Sequence, residues 1–220
     1  MTKLPSLTRA ECEAQLDRLL KIPVKRGDRL LVVGDNACGK SYFRRIAAIN
    51  FKTIPMVVHA SMALRTSNMS HMGAIAGMVR DTDWLATSHN TFSLIKNALS
   101  TATSAKADGK EVALCVDEPE IGMGAAAQRG MVEWLLGRME AQADDRAFTM
   151  LVTHSPIFVR RFAAAGWKFT DLSFSPSATV KKWLARQASE VLTPDTLEQR
   201  AGLLFEVVRD FMNARRKAKE

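Results

Sequence analysis

The sequence predicts an α/β fold, a mostly parallel sheet flanked by helices, with a helical appendage at the C-terminal end. Three observations predict it. Short, continuous apolar runs such as Leu30-Leu31-Val32-Val33 recur along the chain, the pattern of strands buried on both faces. Segments of helical period alternate with these runs at βα spacing. A glycine-bearing loop joins one of the runs directly to a helix. The 220 residues suit one α/β domain with a small addition, and 47% apolar with 25% charged residues is the balance of a globular chain.

In order along the chain, residues 8–21 read as a helix capped by Thr8, with Leu16, Leu19 and Leu20 as its apolar stripe. Pro23 ends it, and Gly27-Asp28 turns into the first buried strand, 29–33. Lys40 to Ile49 is helical, and Ile54 to His59 is a second strand. Residues 61–79, rich in Met, Ser and Gly, carry no clear period. Thr91 to Ala102 reads as a helix with Phe92, Ile95 and Leu99 on one face. A turn at Asp108-Gly109 leads to a third strand, 111–116. A helix over 127–141 turns Met131, Trp134, Leu135 and Met139 inward, and Phe148 to Thr153 is a fourth strand. Two amphipathic helices follow, 177–191 and 194–217, the second with Thr193 as cap and Pro194 at its first position. Its stripe is Leu197, Leu204, Val208 and Phe211. The organisation expected is an N-terminal helix over 1–22, a core over 23–174 and a helical tail over 175–220.

Cys12, Cys38 and Cys115 form no metal-binding spacing, which suits a reducing cytoplasm. The N-terminal stretch lacks the apolar centre of a signal peptide, and no run approaches a membrane span. A net charge of +8 favours an anionic partner, nucleic acid first among them. The alternative is charge dispersed over helix surfaces, since only ARRKAK near the C-terminus is a basic cluster.

Chemistry concentrates at three strand ends. Gly34-Asp35-Asn36-Ala37-Cys38-Gly39-Lys40-Ser41 fits GxxxxGK[ST] without a mismatch. Binding a triphosphate takes many donors in little space: glycines let backbone N–H groups turn inward, and the helix that follows adds the partial positive charge of its N-terminus. Lys40 is placed to reach the outer phosphates and Ser41 to ligand Mg²⁺. The second strand end is Val116-Asp117-Glu118-Pro119-Glu120. A carboxylate at the C-terminal end of a buried strand sits at the ligand edge of an α/β sheet. Asp117 suits the metal there, and Glu118 suits the attacking water. The third is Thr153-His154-Ser155-Pro156, where His154 is placed to donate to a terminal phosphate.

Taken together, KRGDRLLVVGDNACGKS, VALCVDEPEIGMG and MLVTHSP resemble the Walker A, Walker B and switch-histidine segments of ABC-type ATPases, in that order over about residues 25 to 160. The likeness is to stand-alone soluble ATPases with an ABC-like core and a P-loop NTPase fold. It implies ATP and Mg²⁺ as cofactors. It also implies Gly34 to Tyr42 on the phosphates, Ser41 and Asp117 on the metal, Glu118 as catalytic base and His154 as γ-phosphate sensor. A homodimer closing on ATP is implied as well. The chain departs from the family pattern in four places. The signature loop is reduced to Ala86-Thr87-Ser88-His89-Asn90-Thr91, without glycines, leaving Ser88 as its phosphate contact. No glutamine lies between Ser41 and Asp117, so His59 and Ser61 are the available substitutes. No aromatic residue precedes Tyr42 to stack on a base. Tyr42 itself replaces the second hydroxyl of the loop's end.

Cys38 lies near Lys40 and a helix N-terminus, surroundings that lower a thiol pKa and suggest redox control. The plainer reading is a small side chain standing where Ser or Ala would serve. The function expected is an ATP hydrolase that moves a partner, DNA or a protein held on the C-terminal helices. A nucleotide-dependent switch with little turnover is the alternative. A small-molecule kinase fits less well, because no lid arginines stand out.

Overall fold

The computed structural model describes residues 2–3, 7–49, 51, 55–61, 87–141, 146–187, 190–191 and 194–217. The strands are β1 (Thr2–Lys3), β2 (Asp28–Val33), β3 (Met56–Ser61), β4 (Val112–Asp117), β5 (Phe148–Val152), β6 (Lys168–Asp171) and β7 (Glu190–Val191). The helices are α1 (Arg9–Lys21), α2 (Lys40–Ile49), α3 (Thr87–Ala107), α4 (Ala125–Glu140), α5 (Pro156–Ala164), α6 (Val180–Gln187) and α7 (Pro194–Lys217). Five strands form one parallel sheet flanked by helices, in the order β3-β4-β5-β2-β6. A separate two-stranded parallel ladder pairs Thr2 with Glu190 and Lys3 with Val191. The chain divides into two compact units, one of Met1–Val24, Val32–Ile54 and Phe169–Glu220, the other of Lys25–Leu31 and Pro55–Lys168.

In the first unit, α1 packs on α2 and on α7. The α1 start is fixed by a capping box: the Thr8 hydroxyl accepts from the Glu11 N–H, and the Glu11 carboxylate accepts from the Thr8 N–H at 2.7 Å. Leu16 and Leu19 are buried, as are Leu204, Val207 and Val208 of α7; of the stripe expected on α7, Leu204 and Val208 are buried while Leu197 and Phe211 are half-buried. Each such Leu or Val contributes about 1.5–3 kcal/mol by leaving water. Gln15 breaks the apolar stripe of α1 and is nevertheless only 4% exposed.

In the second unit, β3, β4 and β5 run parallel, with Ser61 opposite Asp117 and Asp117 opposite Val152. Val112 to Val116 and Phe148 to Val152 are buried without a break, which is why these strands read as continuous apolar runs rather than alternating ones. α3 packs on β3 and β4, and its buried residues are Thr91, Ile95, Ala98, Ala102 and Ala105, the three alanines being small enough to let a helix come close to a sheet. α4 buries Met131, Val132, Leu135, Leu136 and Met139 and packs on α5.

Several boundaries differ from the sequence expectation. β3 begins and ends two residues later than expected, which brings Ser61 to its end. α3 starts at Thr87, ahead of the expected Thr91, because Ser, His and Asn score poorly for helix and give a local reading no sign of the start. Phe92 lies off the buried face, 37% exposed, with its ring 4.7 Å from that of Trp134. The expected helix over 177–191 shortens to α6, and Glu190-Val191 instead pairs with Thr2-Lys3, a partner no local window contains. α5 and β6 have no counterpart among the elements expected from the sequence. The signal for α5 was present in Ser155-Pro156, a capping serine followed by Pro at the first helical position. Residues 62–79 of the segment without a clear period, and Ala86, lie outside the described residues.

Candidate functional site

The loop that follows β2 belongs to the first unit. Gly34 leaves the strand, Ala37 takes the left-handed region at φ 60°, and Gly39 sits at φ 101° immediately before α2. Gly34 is held to glycine by space, and Gly39 chiefly by its positive φ. A Cβ on Gly34 would stand 2.5 Å from the Cys38 Sγ, and one on Gly39 would stand 3.0 Å from the Leu19 Cδ1. The Gly39 carbonyl accepts from the Tyr42 and Phe43 N–H groups at 3.0 and 2.9 Å, which opens the helix. Among the described residues, the amide N–H groups of Ala37, Gly39 and Ser41 donate to no protein acceptor. Lys40 is 9% exposed, and its Nζ donates to the Gly34 and Asp35 carbonyls at 3.2 and 2.9 Å, so the loop curls around the ammonium. Ser41 is exposed in the first turn of α2, and Tyr42 is half-buried one residue on. Open N–H groups, a buried ammonium and a helix N-terminus within eight residues suit a polyphosphate.

The loop is braced from outside by residues that the sequence reading did not single out. The Gln15 Nε2 donates to the Cys38 carbonyl at 2.8 Å and to the Leu172 carbonyl at 2.6 Å. Arg18 donates to the Leu172 and Ser173 carbonyls. Asp35, 8% exposed, is hydrogen-bonded to Ser173 and ion-paired with Arg186. A polar residue in the apolar stripe of α1 was the one sequence-level signal for any of these contacts. Cys38 is fully buried, and that burial pushes its thiol up to about 11 although Lys40 pulls the other way. The expectation of a lowered thiol pKa and redox control is thereby overturned: desolvation outweighs the neighbouring charge.

The second unit holds the carboxylates. Asp117 ends β4, and its Oδ2 accepts from the Ser61 Oγ at 3.1 Å and lies 3.7 Å from the His59 Nε2. The two residues expected to stand in for the absent glutamine are thus both beside Asp117. Among the described residues no three His, Cys, Asp or Glu side chains gather into a metal cage. Mg²⁺ does not need one, since it is commonly held by one or two protein oxygens plus water and phosphate.

Glu118 takes the left-handed region at φ 53°, costly for a residue with a Cβ, and its N–H donates to the Val152 carbonyl at 2.8 Å. Its Oε1 lies 3.2 Å from the His154 Nε2, within ion-pair reach when the ring is protonated but not aligned as a hydrogen bond. Glu120 holds these two loops together. Its Oε1 accepts from the His154 and Ser155 N–H groups at 2.6 and 3.1 Å. Burial raises its pKa, and the N–H groups it accepts from only partly offset that. The Ser155 hydroxyl caps α5 and donates to Gln128 at 2.6 Å, fixing the far side of the histidine.

The structure therefore gathers Gly34 to Ser41 around Lys40 in one unit. In the other it gathers Asp117 with Ser61 and His59, and Glu118 with His154. Ser88 stands in the first turn of α3, inside the helix, where a loop leading into it was expected. No protein-family model matches the chain, and no curated protein matches it.

Proposed function

We propose that the chain binds ATP with Mg²⁺ and hydrolyses it, two copies closing on nucleotide and driving movement of a partner. The observation that carries this reading is the loop itself, with unpartnered N–H groups and the Lys40 ammonium at the start of α2. Gly34 to Ser41 receive the phosphates, and Lys40 balances charge on the outer two. In this reading Ser41 and Asp117 would be the protein ligands of Mg²⁺, which would supply positive charge against the phosphate oxygens. Glu118 accepts the proton of a water whose oxygen attacks the γ phosphorus while the bond to the β–γ bridging oxygen breaks, giving ADP and phosphate. His154 donates to the γ phosphate, and its 3.2 Å approach to Glu118 links the base to the presence of that phosphate. The fixed position of both residues, tied through Glu120, supports catalysis by positioning.

The partner fits one of two classes. The net charge of +8 supports DNA, and α6 with α7 supports a docked protein. No described helix is long and apolar enough to cross a membrane. A switch with little turnover is favoured by one observation. Residues 87–91 are helical and lack glycine, so the contact to a second subunit's phosphate has less freedom to form.

Steady-state turnover of wild type, Glu118→Gln and Lys40→Ala, with sizing in the presence of ATP, tests the reading. We expect wild-type turnover abolished by chelating Mg²⁺. Glu118→Gln should turn over at least about 100-fold more slowly and elute as an ATP-held dimer. Lys40→Ala should do neither. A wild type that binds ATP yet never turns it over supports the switch instead.

A further inference from the structure

We propose that Arg186 is a positioning residue for the phosphate loop, acting through Asp35, so that helix α6 tunes nucleotide affinity. The proposal rests on the reading of Gly34 to Ser41 as a nucleotide loop, and every residue in it belongs to the first unit.

Two carboxylates are buried beside the loop, with side-chain exposures of 8% for Asp35 and 1% for Asp171. Arg186 forms ion pairs with both, its Nη2 lying 3.3 Å from the Asp35 Oδ1 and 3.1 Å from the Asp171 Oδ2. The same nitrogen donates to the Ser173 hydroxyl, and Nη1 donates to the Ser175 carbonyl. Ser173 is the pivot. Its Oγ lies 2.6 Å from the Asp171 Oδ1 and 3.0 Å from the Asp35 Oδ1, and it accepts from the Asp35 N–H at 3.2 Å.

A hydroxyl has one proton and cannot donate to both acids at once. The shorter bond to Asp171 takes it, which leaves the Asp35 carboxylate dependent on Arg186. Removing that cation strands two desolvated carboxylates against each other. The relief open to them is for Asp35 to swing outward, and Asp35 is the second residue of the loop.

The loop has no slack to absorb such a swing. Leu172 donates to the Val33 carbonyl at 2.8 Å, and the Leu172–Ser173 backbone lies 3.2–3.3 Å from where a Gly34 Cβ would stand. The Lys40 Nζ is bonded to the Asp35 carbonyl, so displacing Asp35 displaces the ammonium as well. On the other side α6 is held by Trp183, which is fully buried, while Lys181, Lys182 and Ala185 are exposed. A ligand or partner that shifts this short helix acts on the loop through a single guanidinium.

The experiment is equilibrium binding of N-methylanthraniloyl-ATP with Mg²⁺, followed by fluorescence anisotropy, with melting recorded for every variant. Wild type, Lys40→Ala, Arg186→Gln, Asp35→Asn, the Asp35→Asn/Arg186→Gln double variant and Ser173→Ala are compared. Arg186→Gln is expected to weaken binding about tenfold. Asp35→Asn is expected to recover at least threefold of that loss in the double variant, because it removes the stranded charge. A residue that merely supports the fold would lower the melting temperature without this charge-dependent recovery. Where Arg186→Gln does not fold, Ser173→Ala carries the test, with binding weakened several-fold. Binding lost in Lys40→Ala but within twofold of wild type in both Arg186→Gln and Ser173→Ala overturns this proposal alone. Absence of binding by wild type overturns the reading of the loop and this proposal with it.

Discussion

At the scale of single residues, the proposed chemistry would depend on side chains whose backbone is held against its own preference. Glu118 adopts a left-handed backbone that a β-carbon disfavours by about 1–2 kcal/mol, and its N–H bond to Val152 fixes it there. Glu120 is half-buried and accepts the two N–H groups that set the position of His154. Replacing Glu120 with Ala leaves the His154 N–H without its acceptor, at about 1–3 kcal/mol, while the Ser155 N–H keeps the Thr153 hydroxyl, and this frees the histidine loop. We expect Glu120→Ala to lower turnover about tenfold while nucleotide affinity stays within twofold, read from kcat against binding measured separately. Cys38 gives a prediction in pH. Its folded pKa is raised by burial to about 11, from an ordinary value near 9. The neutral thiol therefore stabilises the fold fully below pH 9. That contribution falls by about 1.4 kcal/mol per unit as the pH rises toward 11, where the unfolded chain ionises and the folded one does not. Urea melts of wild type and Cys38→Ala between pH 8 and 11 check this, the wild type losing stability more steeply.

Among secondary elements, strand–loop–helix units carry both the fold and the candidate site. The unit β2–loop–α2 was legible in the sequence to within one residue, because an apolar strand, a glycine turn and a helix start are all local signals. So was the start of α1, where Thr8 and Glu11 cap each other. Thr8→Ala should cost about 1 kcal/mol, or about 2–4 °C in melting temperature, with nucleotide affinity unchanged. A fall in affinity instead would mean that α1 holds Gln15 against the loop less firmly than the buried contacts suggest. Elements set by distant partners were not legible. β7 exists because Glu190-Val191 meets Thr2-Lys3, and α3, which packs on β3 and β4, starts ahead of its local signal. The residues that brace the loop share this property. Asp171, Ser173 and Arg186 lie 136 or more positions from Asp35, and nothing in their own neighbourhood marks them.

Across the whole molecule, the class of fold was legible in the sequence, as were the strand ends at which the candidate residues lie. Alternating apolar runs and helical periods already implied a parallel sheet, and five strands in the order β3-β4-β5-β2-β6 form it. Strand order itself was not legible, since each buried run offers the same apolar face to any neighbour. The central claim is that Gly34 to Ser41 bind the phosphates of ATP. It is tested most directly by equilibrium binding of fluorescent ATP with Mg²⁺ to wild type and to Lys40→Ala. The account predicts saturable binding by wild type and at least about 100-fold weaker binding by the variant, the loss of a buried, charge-assisted contact. Equal affinity in the two proteins, or no binding by wild type, would contradict it.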